Sequence, residues 1–155
     1  MKKPPRRRSS IEIRSDLRGL PISLGRLKRL AARILKSLGY DRSSLSLYLT
    51  KDRVIRRLNR KYLRHDRSTD VMAFGASKRP VKREPFLGDI VISAETAKRK
   101  AKIHGTTYRY ELCLYLCHGI LHLIGHEDQT RPGAAMMQRK QRKFSRRFFP
   151  LGPRI

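Results

Sequence analysis

Acidic residues are scarce in this chain: 12 Asp and Glu stand against 38 Lys and Arg, leaving a formal charge of +26 over 155 residues. A surface that positive repels itself and attracts polyanions, with a strong dependence on salt, so it calls for an anionic partner and nucleic acid leads. Long apolar runs are also missing. No segment reaches the roughly 18 consecutive apolar residues of a spanning helix, which leaves an anionic membrane surface only as the competitor to nucleic acid. Residues 1–10 lack the apolar stretch of a secretory signal, and the expectation is a soluble cytoplasmic protein with no membrane partner. Cysteine occurs twice, at Cys113 and Cys117. Their spacing of four stacks them on one helical face instead of forming a Cys-x-x-Cys redox pair, and they read as small buried hydrophobes in a reducing compartment. No internal repeat is visible.

What is present suffices for one packed domain. The length is in the single-domain range, and 39% of residues are hydrophobic. Residues 1–9 hold Lys2, Lys3, Arg6, Arg7 and Arg8 around Pro4 and Pro5, with nothing to bury; they are expected to form a flexible basic arm, followed by a single domain over 10–155. Ile11 and Ile13 alternate as a strand does, and Leu24, Leu27, Leu30, Ala31, Ile34, Leu35 and Leu38 trace one helical face that Gly39 stops. Leu45, Leu47 and Leu49 predict a second strand, and Val54, Ile55, Leu58 and Tyr62 a second helix with Thr50 as its cap. Residues 71–74 and 87–92 read as strands separated by a Lys/Arg/Pro loop, and Ser93 caps a helix that ends before Gly105. Residues 107–124 are apolar almost all round, the mark of a helix buried in the core. A basic helix over 133–148 closes the chain. Together these elements predict an α+β fold: one small mixed sheet packed with helices, the metal site described next lying at the end of the buried helix.

Past Glu111, the strongly polar members of that buried helix are two histidines. His118 and His122, four apart, project side by side from one face and can hold one ion. Gly125 then offers the left-handed conformation that ends a helix and returns the chain. In the metzincin pattern, ligands fall at the first His, four later and ten later, with a glycine at seven; those offsets give His118, His122, Asp128 and Gly125 here. His126 and Glu127 are rivals for the third position, but they lie one and two residues past the glycine, where the chain has barely begun to turn. Two imidazoles and a carboxylate leave one position open for water, the catalytic arrangement for zinc, and the carboxylate lets harder ions such as Mn²⁺ compete. The peptidase signature His-Glu-x-x-His has its general base beside the first ligand, where this sequence has Gly119, so a zincin-type peptidase is the weaker reading. A cationic surface with an open metal position points to phosphodiester hydrolysis.

The stretch His118-Gly-Ile-Leu-His122-Leu-Ile-Gly125-His126 resembles the signature of the bacterial YbeY family of metal-dependent endoribonucleases and rRNA maturation factors. Leu58-Asn59-Arg60-Lys61-Tyr62, Asp66, Thr69-Asp70-Val71-Met72-Ala73-Phe74 and Leu87-Gly88-Asp89-Ile90-Val91-Ile92-Ser93 are similar to further stretches of that family. The resemblance implies one zinc ion per chain, cleavage of single-stranded RNA, a part in 16S rRNA 3′-end maturation and ribosome quality control, and RNA in the form of rRNA precursor and ribosome as partner. Two departures stand out. Most members carry a third histidine where this chain has Asp128. An arginine that many members place after the tyrosine is Leu63 here, which makes neighbouring Arg64 the candidate catalytic residue. A noncatalytic basic ribosome-assembly factor with a structural metal is the alternative. Asp70 and Asp89 read as turn or ion-pair residues, and Arg53, Arg56, Arg57, Arg60 and Arg64 as a phosphate-contacting helix face.

Overall fold

A computed structural model describes residues 9–151. Its elements, in chain order, are β1 (Ile11–Ser15), α1 (Leu24–Ser37), β2 (Ser44–Thr50), α2 (Asp52–Leu63), β3 (Val71–Gly75), β4 (Phe86–Ser93), α3 (Ala94–His104), α4 (Tyr108–Leu123) and α5 (Arg131–Phe148). The strands form one mixed sheet in the order β1-β2-β4-β3: β1, β2 and β4 run parallel, and β3 pairs antiparallel to β4 along one edge.

Alternation along the strands decides what each face meets. Leu45, Leu47, Leu49, Ile90 and Ile92 join the main core with residues of α1, α3, α4 and α5. Tyr48, Val91, Met72 and Phe74 point the other way, where α2 covers them with Ile55 and Leu58. A two-sided sheet explains why the β4 sequence reads as a nearly unbroken apolar run.

Helix α4 is the centre of the molecule. It packs against α1, α3, α5, β3 and β4, and buried residues lie all round it, from Leu112, Cys113 and Tyr115 to Ile120, Leu121 and Leu123. The Thr107 hydroxyl caps it by accepting from the Tyr110 amide at 3.1 Å. Both thiols are buried and unbridged, and burial pushes Cys113 up to about 11 and Cys117 up to about 12, so neither is a nucleophile at neutral pH.

Ser93 caps α3 as expected, its hydroxyl accepting from the Thr96 amide at 3.1 Å, and Gly105 ends that helix at φ +65°. The cap expected of Thr50 is not made. Thr50 is the last residue of β2, its hydroxyl donates to Asp16 at 3.0 Å, and α2 starts after Lys51 without a side-chain cap. The first turn of α2 is instead tied down by Asp52, whose carboxylate accepts from Ser68 (3.2 Å), Thr96 (2.6 Å), Arg99 (2.9 Å) and the Ser93 hydroxyl. The closing helix begins two residues earlier than the pattern suggested, with Thr130 as cap and Pro132 in its first turn. Most of the basic arm, residues 1–8, lies outside the described residues; the Ser9 amide donates to the Asp41 carbonyl at 3.0 Å.

Candidate metal centre and its groove

The last turns of α4 hold His118 and His122 half-buried on one side. Gly125 follows at φ +99°, a left-handed conformation that reverses the chain without a Cβ penalty. The reversal delivers Asp128 to the imidazoles. His118 Nε2 and His122 Nε2 are 2.9 Å apart, and an Asp128 carboxylate oxygen lies 3.4 Å from the first and 3.7 Å from the second. Among the described residues these three are the group whose donor atoms all fall within 4.8 Å of one another. Neither rival reached the cluster. His126 instead faces Lys140, with Lys140 Nζ 3.1 Å from its Nε2.

Donors bonded at about 2.05 Å to a tetrahedral zinc stand about 3.3 Å apart. The observed triangle, with sides of 2.9, 3.4 and 3.7 Å, brackets that value. Two imidazole nitrogens aimed at each other also need a cation or a shared proton between them, because both lone pairs point inward. Burial lowers the pKa of His118, the neighbouring His122 lowers it further, and Asp128 and Asp70 act in the opposite direction. The neutral, ligating form is therefore favoured. The residues present fit a divalent ion with an open coordination position.

Residues that the pattern did not single out support the ligands. Gln141, on the inward face of α5, places its amide against His118 Nδ1. Once Nε2 is committed to a metal, Nδ1 carries the proton, and the amide oxygen of Gln141 is the group to accept it. Lys140 is the other. An ammonium only donates, so His126 must accept through Nε2 and carry its own proton on Nδ1; burial, then Lys140 and His122, lower the pKa of His126. Both helpers come from a helix whose sequence showed only an excess of positive charge.

Next to His122 runs an open groove of about 1390 Å³, walled by β3 and by the segments on either side of it. Arg67, Lys78, Arg79, Arg99 and Lys100 line it against the carboxylates Asp70 and Glu127. Asp70 also accepts from the Val71 amide at 2.8 Å, the turn-stabilising role expected of it, while its charge reaches His118. Asp89 lies apart, bonded to the Ser46 hydroxyl and lining a separate groove that shares its wall with Tyr48, Tyr62 and Phe74. Arg64 is the residue that ends α2, in a left-handed conformation at φ +56°. It is not among the residues lining the groove beside His122, whereas Leu63, His65 and Arg67 are.

Position 119, the place of a peptidase glutamate, faces the sheet. A Cβ built on Gly119 would meet Ile90 Cγ2 at 2.7 Å, far inside ordinary contact, so a longer side chain there has no route to the metal.

Fold and site together define an α+β protein with a His-His-Asp cluster able to hold a metal ion at the end of its core helix, beside a basic groove. A family model described as Endoribonuclease YbeY matches residues 13–148. Proteins bearing that same description are 42% identical to this chain over 86% of its length and 89% of theirs in Geobacter metallireducens, and 42% identical over 79% and 83% in Geobacter sulfurreducens. A Thermotoga maritima protein whose structure was determined in solution superposes with a TM-score of 0.65 at 28% identity, covering 87% of this chain and 86% of the other. The chain belongs to the YbeY endoribonuclease family.

Proposed function

We propose that this protein is a metal-dependent endoribonuclease that cuts single-stranded RNA, with His118, His122 and Asp128 holding one zinc ion, or Mn²⁺ in its place. The observation that carries the reading is the convergence of those three donors beside a groove where five cations outnumber two carboxylates. When bound, the ion supplies Lewis acidity toward a phosphodiester oxygen and lowers the pKa of water. The chain's own residues do the rest. Arg67, Lys78 and Arg79 attract and seat the phosphate backbone, Gln141 holds the His118 ring in its ligating tautomer, and Lys140 adds positive charge beside His126. Arg64, which ends α2, is the remaining candidate for phosphate contact. The proposed setting is the cytoplasm, acting on the 16S rRNA precursor at the ribosome in 3′-end maturation and quality control; the charge of +26 supports a large polyanionic partner.

The test is metal analysis paired with cleavage of single-stranded RNA by wild type, His118→Ala and Asp128→Ala. Wild type is expected to carry about one metal per chain and to nick the RNA, and each variant to lose both properties together. Cleavage retained in both variants refutes the reading, and a tightly held metal with no cleavage by wild type favours the noncatalytic assembly factor.

A further inference from the structure

Helix α5 carries two functions on opposite faces. Met137, Gln141, Phe144 and Ser145 point inward, Gln141 onto His118. Arg139, Arg142, Lys143, Arg146 and Arg147 are all exposed and line a common surface depression. At 100° per residue they fall in one band about 140° wide, centred opposite the core. The helix contains no Asp or Glu, and among the described residues none of these five cations makes an ion pair. Three pairs, Arg139 with Lys143, Arg142 with Arg146 and Lys143 with Arg147, are like charges at i,i+4, an arrangement that destabilises a helix.

The band continues onto α1. The Arg33 guanidinium lies 4.6 Å from the centre of the Phe148 ring, and that of Arg147 lies 5.1 Å from it. One ring thus lies against two like-charged groups at the surface. Among the described residues no carboxylate pairs with these charges, so an external row of anions would relieve their mutual repulsion.

We infer that the outward face of α5, extended by Arg33, is a second RNA-backbone contact, which anchors sequence flanking the strand cut at the metal. The inference rests on the proposed RNA cleavage for its partner. The band from residue 139 to 147 is about 12 Å long and sits about one helix diameter, 10–12 Å, from the inward face that touches His118. An oligonucleotide that only fills the groove does not reach it; a longer RNA passing round α5 does.

The experiment compares wild type, a triple variant on the band (Arg139→Gln, Lys143→Gln, Arg147→Gln) and a control triple with equal charge loss at exposed sites off it (Arg42→Gln, Lys51→Gln, Lys102→Gln). Binding is measured on chelated protein across a salt series, with a short RNA of about five nucleotides and one about six times longer. Cleavage kinetics are then measured with metal restored. The band variant is expected to melt no lower than wild type, since like-charge pairs are relieved. It is expected to bind the long RNA at least about tenfold more weakly, with a salt slope smaller by about 2, from three contacts at about 0.7 each. Its KM for the long RNA rises while kcat and all short-RNA constants stay at wild-type values, and the control triple matches wild type.

Equal weakening by both triples, or equal weakening of short and long RNA, overturns the inference. So does loss of binding to phosphatidylserine vesicles in the band variant with long-RNA binding intact, which would make the face a membrane contact. Wild type that binds long RNA through the band but never cuts it would defeat the proposed cleavage and leave the band standing.

Discussion

Replacing Gly119 with Ala tests how tightly the ligand-bearing helix is seated on the sheet. The added Cβ would stand 2.7 Å from Ile90 Cγ2, 3.1 Å from Cδ1 and 3.3 Å from Cγ1. Carbon pairs are comfortable at about 3.5–4.0 Å, so α4 and β4 must separate by about 1 Å. Ile90 cannot swing aside, because its branch point is fixed beside the backbone and the residue is fully buried. Overpacking of this kind costs about 1–3 kcal/mol, and the better helix propensity of Ala returns about 1 kcal/mol. A net loss of about 1 kcal/mol remains, which thermal unfolding would read as a fall of about 2–4 °C in a chain of this size. Cleavage should suffer more, since displacing catalytic groups by about 1 Å can cost about a hundredfold in rate. In an Ile90→Ala background the same methyl enters vacated space, and the change at position 119 becomes stabilising. An unchanged or raised Tm in the single variant, or no reversal of sign in the double, would refute the account of why glycine stands there.

Three further outcomes are expected. Asp52→Ala strands three hydroxyls and the Arg99 guanidinium and should lower stability by about 3 kcal/mol in denaturant titrations. Burial acts to raise the Asp52 pKa, but hydrogen bonds from Ser93, Thr96 and Arg99 outweigh it and hold it below the ordinary value. Its contribution is therefore present above about pH 4 and lost as the pH falls through the folded value, so the stability of wild type should converge on that of Asp52→Ala in acid. Cys113, pushed up to about 11 by burial, should resist iodoacetamide at pH 8 until denaturant is added; rapid labelling of the native protein would contradict its place in the core. Arg67→Ala should raise KM for RNA several-fold because Arg67 lines the groove, whereas Arg64→Ala should act mainly on the end of α2; the opposite ranking would return the phosphate contact to Arg64.

Much of this arrangement was legible in the residues alone because its signals are local. The pair His118 and His122 needs only helical periodicity, and Gly125 needs only the turn chemistry that a left-handed residue permits. Their meeting with Asp128 follows from spacing along one short stretch. Ser93, Gly105 and the uniformly apolar α4 could be read the same way. The cap assigned to Thr50 failed because a hydroxyl at a strand end has competitors that sequence does not display, here Asp16, more than thirty residues away. Gln141 and Lys140 went unseen because their value depends on how α5 docks against α4, a long-range event that leaves no periodic trace. Arg67 was hidden for a related reason: the loop after α2 decides which arginine faces the groove.

The two imidazoles stand on the most deeply embedded helix of the molecule, and Ile120, Leu121 and Leu123 around them are buried in its apolar core. The scaffold is thus assembled by apolar contact, and an ion taken up by the proposed site would enter a finished frame. Extraction by a chelator should leave a protein whose spectrum and melting behaviour stay close to the loaded form, ready to take up whichever divalent ion the surroundings supply. Occupancy of the proposed site would then follow metal supply without putting the chain itself at risk of degradation.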